Sequence, residues 1–448
     1  MPATEIQERA VAGVDRYLAE FERFRRERAG EPADLQALRR AAIERFADLG
    51  FPTLRQEEWR LTNVAPIVQG TFHWPQGDPG AVAPGLIAPH VFDAAARLVF
   101  VDGRFSPRLS STAELPAGTI VASLGEILAR SPGLVEPWLA RFAKFDRHPF
   151  VALNTAFMGD GAFVYIPRGA VTGPIHLLFL SAGEGGQATL SFPRNLFVAD
   201  ESSQTTIVET YAGEGAYFTA PVTELYAGPG AVIDHYKVQR ESLAAFHMAT
   251  FQVQGERASV PSSHSISIGG ALVRNDVNAV LDGEGIDCIL NGLYFGDGRQ
   301  VVDNHMRVEH AKPHCASHEL YKGVLDGKSR AVFNGLIHVH KGAQKTDAKQ
   351  SNRNLLLSRD AIANSNPQLE IYADDVKCTH GSTVGQLDED AVFYLRSRGI
   401  GAEAARSLLT YAFASDIVER IKVVPVRRDL EEFLFARLPM GEVVRQAV

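Results

Sequence analysis

Apolar residues at Val14, Tyr17, Leu18, Phe21 and Phe24 recur every three or four positions, which places them on one face of a helix. A second helix is predicted to open near Asp34, with Leu35, Leu38 and Ala42 turned inward. It stops at Gly50-Phe51-Pro52-Thr53, because Gly and Pro both disfavour continuation. Residues 62–97 are rich in Pro and Gly and read as an irregular connector. From about residue 98 to about 385 the pattern changes, and no helical period is evident. Short apolar or β-branched runs alternate with turn clusters at Asp282-Gly283, Gly296-Asp297-Gly298, Asp326-Gly327 and Lys341-Gly342. Ile175-His176-Leu177-Leu178-Phe179-Leu180 is nearly continuous, as a strand covered on both faces would be. Ser263-His264-Ser265-Ile266-Ser267-Ile268 alternates, as a half-buried strand does. The tail returns to helix: Ala405, Leu408, Leu409, Ala412, Phe413, Ile417 and Ile421 form one stripe. Pro425 then interrupts, and Arg427 to Leu434 suggests a short last helix.

A long run of short strands without helices fits a sandwich pair, a propeller or a β-helix. No WD or Kelch signature and no strict short repeat is present. A solenoid tolerates irregular coils, since each needs only to stack on its neighbours, so the β-helix is favoured. The expected organisation is a helical region with connector over 1–97, a β core over 98–385 and a helical domain over 386–448. At 448 residues the chain is too long for one ordinary compact core, which an elongated fold accommodates.

Composition narrows the function. The 45 basic and 53 acidic side chains leave a formal charge of −8, which gives no support to nucleic-acid binding. Cys288, Cys315 and Cys378 stand far apart and are no disulfide framework, so a reducing compartment is expected. The N-terminus lacks an apolar signal segment, and no stretch approaches the roughly 18 apolar residues of a membrane span, so a cytoplasmic location is expected.

Gly323-Val324-Leu325-Asp326-Gly327-Lys328-Ser329 imitates a phosphate-binding loop but has three residues between its glycines where four are needed. It sits among strands and reads as a turn, so the chain alone is not expected to hydrolyse ATP. Gly183-Glu184-Gly185-Gly186 is too short for a dinucleotide fingerprint and reads as a loop. His305, His310, His314, His318, His338, His340 and His380 concentrate in one region, with Cys315 and Cys378 among them. The period of two puts His338 and His340 on the face opposite Ile337 and Val339, and aligns Cys378 with His380. Thiolate with imidazole suits iron or zinc, yet no CxxC, HExxH or four-cysteine spacing marks a closed zinc site. Taken singly, a histidine is more often a hydrogen-bonded residue than a ligand, and a lone cysteine more often a small buried hydrophobe. Asp374-Asp375 invites comparison with β-helical carbohydrate enzymes, but adjacent strand residues face opposite ways and share no substrate without a bend. No Gly-x-Ser-x-Gly elbow appears.

Several long segments carry a family resemblance. Ser317-His318-Glu319-Leu320-Tyr321-Lys322-Gly323-Val324-Leu325-Asp326-Gly327, the stretch from Gln344 to Ser358, the stretch from Leu369 to Gly381, and Phe393-Tyr394-Leu395-Arg396-Ser397-Arg398-Gly399-Ile400 are similar to segments of the SufB/SufD family of iron–sulfur cluster assembly proteins. Phe51 to Thr62 resembles the family's N-terminal signature, and Leu153-Asn154-Thr155-Ala156-Phe157 the opening of its β region. The Cys378-Thr379-His380-Gly381 form resembles the SufD branch rather than the SufB branch. The resemblance implies a right-handed parallel β-helix between helical ends, mainly β overall. It implies a scaffold subunit that is not itself an ATPase and works with SufB and the ATPase SufC; whether the isolated chain forms a homodimer is left open by the sequence. The SufB partner meets it through the β-helix, and Cys378 and His380 match the residues implicated at that junction. A transient Fe–S cluster and a reduced flavin belong to such complexes, though no flavin residue is assignable here. Leu408, Leu409, Phe413 and Ile417, or the exposed surface beside them, are the expected docking site for SufC. The competing readings are an adaptor without a ligand role and a β-helical carbohydrate-active enzyme.

Overall fold

The computed structural model describes residues 3–75, 77–80, 82–183 and 187–447, with side chains from residue 13 onward. Glu184-Gly185-Gly186 of the glycine-rich segment lies outside the described residues.

Successive strands alternate between two sheets of eleven strands each, so the chain winds as a parallel β-solenoid of about eight coils. Sheet I stacks Val171–Ser181, Gln204–Gly213, Val232–Arg240, Val260–Ser267, Asp287–Gly296, Ala316–Leu325, Asp347–Leu356 and Lys377–Gly385 in that order. Sheet II stacks Ala162–Ile166, Arg194–Ala199, Val222–Ala227, Phe246–Gly255, Leu272–Leu281, Val301–His310, Arg330–Val339 and Ile362–Ile371. From Gln204 onward, register partners on neighbouring coils stand 26 to 32 positions apart. That uneven length explains why no strict repeat is visible in the sequence. The turns fall at the predicted Gly and Asp clusters. Gly327, at φ +60, sits in the turn that closes the imitation phosphate loop, with its N–H bonded to Asp326 Oδ1.

In-register stacking fills the interior. Phe100, Phe179 and Tyr211 are register partners on consecutive strands, and their rings stack at 4.8 and 4.7 Å, the spacing of strands in a sheet. The same interior also carries charge. The fully buried Glu209 carboxylate accepts hydrogen bonds from His235 Nε2 at 2.8 Å, Tyr211 at 2.5 Å and Asn195 at 3.0 Å. Burial works to raise its pKa, but the His235 hydrogen bond and charge outweigh that and hold it below the usual range. Replacing Glu209 by Ala leaves His235 Nε2 and the Tyr211 hydroxyl without that acceptor in the core, with an expected loss of about 3–5 kcal/mol in thermal melts.

Helices flank this solenoid. Ala3–Glu27 and Ala33–Leu49 pack, through Tyr17, Phe21, Phe24 and Phe46, on the helix Pro149–Phe157 and on Phe192, Phe218 and Met248 of the sheet II side. The signature from Phe51 to Thr62 is sewn to the same flank. Arg274 lies 3.7 Å from the Trp59 ring centroid and donates to the Glu58 carbonyl and to Asp276 and Asp303, while the Thr62 hydroxyl also meets Asp303. Pro149–Phe157 corrects the reading of Leu153 to Phe157 as the start of a β region. All nine of its residues are buried, so it shows no polar face and no amphipathic period. Leu124–Arg130 is a second helix inside the stretch read as helix-free.

At the other end of the chain, Ala402–Val418 and Val424–Arg437 lie across the outer face of sheet I. Ile417, Ile421, Leu430 and Leu434 pack on Val208, Tyr236, Ile266, Leu293 and Val324, one residue from each of five consecutive strands. This cover corrects the reading of Ser263 to Ile268 as a half-exposed strand. Val260–Ser267 is buried on both faces: Ile266 lies outward beneath the helices, and Ser263 faces the interior with His235. Pro425 stands in the first turn of Val424–Arg437 rather than breaking a helix, the position where its missing N–H costs nothing. Glu389–Ser397 and Gly441–Ala447 are further helices that the pattern did not reveal. Among the described residues no helix is long and apolar enough to cross a membrane.

Candidate functional site at the last coil

The solenoid is finished differently at its two ends. Near its start, Ile120–Ser123 pairs antiparallel with Ala162–Ile166 and runs into the helix Leu124–Arg130. At its finish, Ile362–Ile371 and Lys377–Gly385 are the outermost strands of their sheets, and among the described residues no strand pairs beyond them. Both remain largely exposed. Large apolar side chains gather in and just after them: Ile371, Tyr372, Val384, Phe393 and Tyr394 are all exposed. Such bare edges with an apolar patch are what natural proteins cover or use.

Cys378 and His380 sit on this last coil. Register pairs stack Cys288, Ser317, Ala348 and Cys378 in one row, and Leu290, Glu319, Gln350 and His380 in the next. Cys288 and Leu290 belong to the interior core, so both rows run along the inner wall, and period two keeps Cys378 and His380 on that wall. Cys378 is half-buried against a cluster of Ile337, Val339, Ala348 and Ala373. Burial pushes its thiol pKa up, partly opposed by the Ala348 backbone. His380 is exposed and makes no hydrogen bond or ion pair among the described residues. Two strand residues apart is about 7 Å between Cα atoms, within reach of one polynuclear centre. Among the described residues no three His, Cys, Asp or Glu side chains are placed to hold a metal ion together.

Behind His380, Gln350 donates to the buried Glu319 carboxyl at 2.5 Å. Burial raises the Glu319 pKa from 4.5 to about 7, with the Gln350 hydrogen bond opposing. The unfolded chain ionises this group near its ordinary value, so the native state loses stability as pH climbs between those two values. Below the lower value both states are protonated and the cost vanishes. Glu319→Gln is therefore expected to stabilise the protein by roughly 3 kcal/mol at about pH 8 and by nothing at about pH 4, in melts at both pH values.

The other candidate residues are dispersed. His338 and His340 share the outer face of sheet II, ring centroids 4.6 Å apart, opposite the buried Ile337 and Val339 as their spacing implied. They pair with Glu370 at 2.8 Å and Glu309 at 3.6 Å, not with Cys378. His310 is buried on Ser317, with its pKa lowered by burial to about 4. His305 meets Asp303, and His314 stands at φ +59 near Glu284. Cys288 and Cys315 are buried thiols. Asp374 and Asp375 occupy the bend before the last strand rather than a strand, and Asp375 is ion-paired with Lys345. Of the docking candidates, Ile417 is fully buried in the solenoid cover, while Leu408, Leu409 and Phe413 are half-buried. Phe413 lies 4.8 Å from the Lys322 ammonium, which also bonds its carbonyl and Asp416. The polar inner wall formed by Glu319, Gln350 and Asn352 was not singled out from the sequence. The stretch from Gln344 to Asn354 is polar at almost every position, so the sequence did not separate its inward from its outward side chains.

The fold is a parallel β-solenoid flanked by helices, with Cys378 and His380 on the last coil at its open end. Two family models cover the chain: the SufBD protein N-terminal region matches residues 14–177, and the SUF system FeS cluster assembly SufBD core domain matches residues 179–413. The chain therefore belongs to the SufBD family of iron–sulfur cluster assembly proteins. It is 34% identical to an iron–sulfur cluster assembly SufBD family protein of Synechocystis over 89% of this chain and 90% of that one. It is 30% identical to the iron–sulfur cluster assembly protein SufD of Escherichia coli, over 89% and 92%, and 27% identical to SufD of Bacillus subtilis, over 90% and 94%.

Proposed function

We propose that this chain is a SufD-type scaffold subunit that shares the building of nascent clusters with partners. The uncovered last coil carries the reading: strands with one open edge, exposed apolar side chains and a cysteine–histidine pair occur together there and nowhere else among the described residues. A SufB-type paralogue closes this edge, as strands add to an open sheet, and supplies the remaining ligands. With two donors from this chain and the usual four needed by a cluster, the cluster is cargo held only in the assembly. The chain itself turns over no nucleotide, and a SufC-type ATPase supplies that step. Without a partner, the same edge pairs with a second copy.

The ATPase docks on the solvent face of Ala402–Val418, beside the half-buried Leu408, Leu409 and Phe413. Removing everything after Gly399 is a poor test, because it bares Val208, Tyr236, Ile266, Leu293 and Val324. Leu409→Asp with Ala412→Arg is the better one. Co-purification with the ATPase should be lost while the melt falls by about 1 kcal/mol or less. Retained co-purification moves the dock elsewhere.

The function is tested by expressing the chain with and without SufB-type and SufC-type partners and assaying iron and acid-labile sulfide. The isolated chain should be colourless and the complex should load. Equal loading of both overturns the shared-site reading.

A further inference from the structure

The inner wall at the last coils holds more polar chemistry than packing requires. Gln350 and Glu319 are each about 3% exposed, yet Gln350 Oε1 and Glu319 Oε1 have no hydrogen-bond partner. Their link is a single bond, Gln350 Nε2 to Glu319 Oε2 at 2.5 Å. The opposite sheet is shaped around them. A Cβ at Gly335 would lie 2.4 Å from Gln350 Nε2 and 2.5 Å from its Cδ and Oε1, so the absence of a side chain there leaves the amide its place. The next inward position along the row is His380, the register partner of Gln350, one strand spacing away at about 4.8 Å.

We propose that Gln350, braced by Glu319, is a positioning residue for His380. This rests on the reading of His380 as a ligand. Above its raised pKa of about 7 the Glu319 carboxylate is ionised and only accepts, so it then fixes the amide with its NH2 toward the earlier coil. The planar amide then turns its oxygen away from Glu319, toward the coil of His380. Neither that oxygen nor the His380 ring has a hydrogen-bond partner among the described residues, and a turn of the exposed ring brings one ring N–H to it, which sets the tautomer and leaves the lone pair of the other nitrogen for the metal. A ligating histidine commonly has its second nitrogen fixed in this way, by an acceptor that orients the ring. Gln350 and Glu319 touch no cluster. They decide which nitrogen His380 offers.

The test reads the tautomer and not the loaded complex. The isolated chain, labelled with 15N at histidine, is studied by long-range 1H–15N correlation above neutral pH, and the His380 signals are assigned by their loss in His380→Ala. One tautomer should dominate in the parent chain. Gln350→Leu should shift the tautomer ratio about five-fold, the equivalent of a hydrogen bond of ~1 kcal/mol. Gln350→Asn, which keeps the amide but shortens its reach, should do the same and serves if the Leu variant does not fold. A ratio unchanged in folded Gln350→Leu or Gln350→Asn overturns the proposal. Cluster loading of the His380→Ala complex is scored separately. Normal loading there removes the ligand reading while the tautomer shift would still establish the contact.

Discussion

Tyr372→Asp combined with Val384→Asp should weaken pairing with the SufB-type partner about a hundred-fold while leaving the fold intact. Both side chains stand at the open end, 61% and 47% exposed, one after the last strand of sheet II and the other within the last strand of sheet I. Substitutions at such exposed positions typically change stability by no more than about 0.5 kcal/mol. In an interface they meet apolar atoms on the partner, and two carboxylates there must be desolvated without a counter-charge. Together they should cost roughly 3 kcal/mol, about a hundred-fold in Kd, as hot-spot losses do. Light scattering and pull-down check this. If the double variant pairs with unchanged affinity, the open end is not the interface and the partner sits on another face.

His380→Ala in the assembled complex should reduce cluster loading by about ten-fold or more while partner binding is retained. The reduction follows from loss of a donor in a centre that usually takes four. Even removal of an outer-shell partner typically costs 10–100-fold in metal affinity. Partner binding survives because the imidazole is exposed and makes no contact that the fold depends on. Cys378→Ala should lose loading as well, with a somewhat larger effect on the melt, since its sulfur packs on Ile337, Val339 and Ala348. Iron and sulfide per complex, measured beside the retained partner, separate the two effects. Normal loading in both variants would make the chain an adaptor.

The pairing of Cys378 with His380 was legible because extended backbone leaves little choice: residues two apart share a face. Which face it is was not legible. In Ser263 to Ile268 the apolar residues suggest the core side, yet Ile266 lies outward because a helix more than a hundred residues later covers it. Polar positions are no surer guide to the outer face. Glu209, His235 and Lys237 would suit a solvated strand face but are buried in the interior, Glu209 bonded to His235 and Lys237 to Asn275, and burial lowers the Lys237 pKa to about 8. Pro149–Phe157 escaped notice because burial on every side removes the polar stripe by which a helix is recognised. Ile417 belonged to a stripe that the sequence could assign either to the chain's own core or to a partner; it lies in the core.

The C-terminal helices clamp five strands of sheet I and leave Lys377–Gly385 bare, which sets a gradient of motion along the solenoid. In a stack held by nearest-neighbour contacts, the terminal coil loses one of its two interfaces and opens at a lower free energy than the coils beneath it. Amide protons of Lys377–Gly385 should then exchange with solvent sooner than those of Val260–Ser267 under its helical cover. A partner that closes the edge has to quench this breathing, and the entropy it removes is subtracted from the affinity of the assembly.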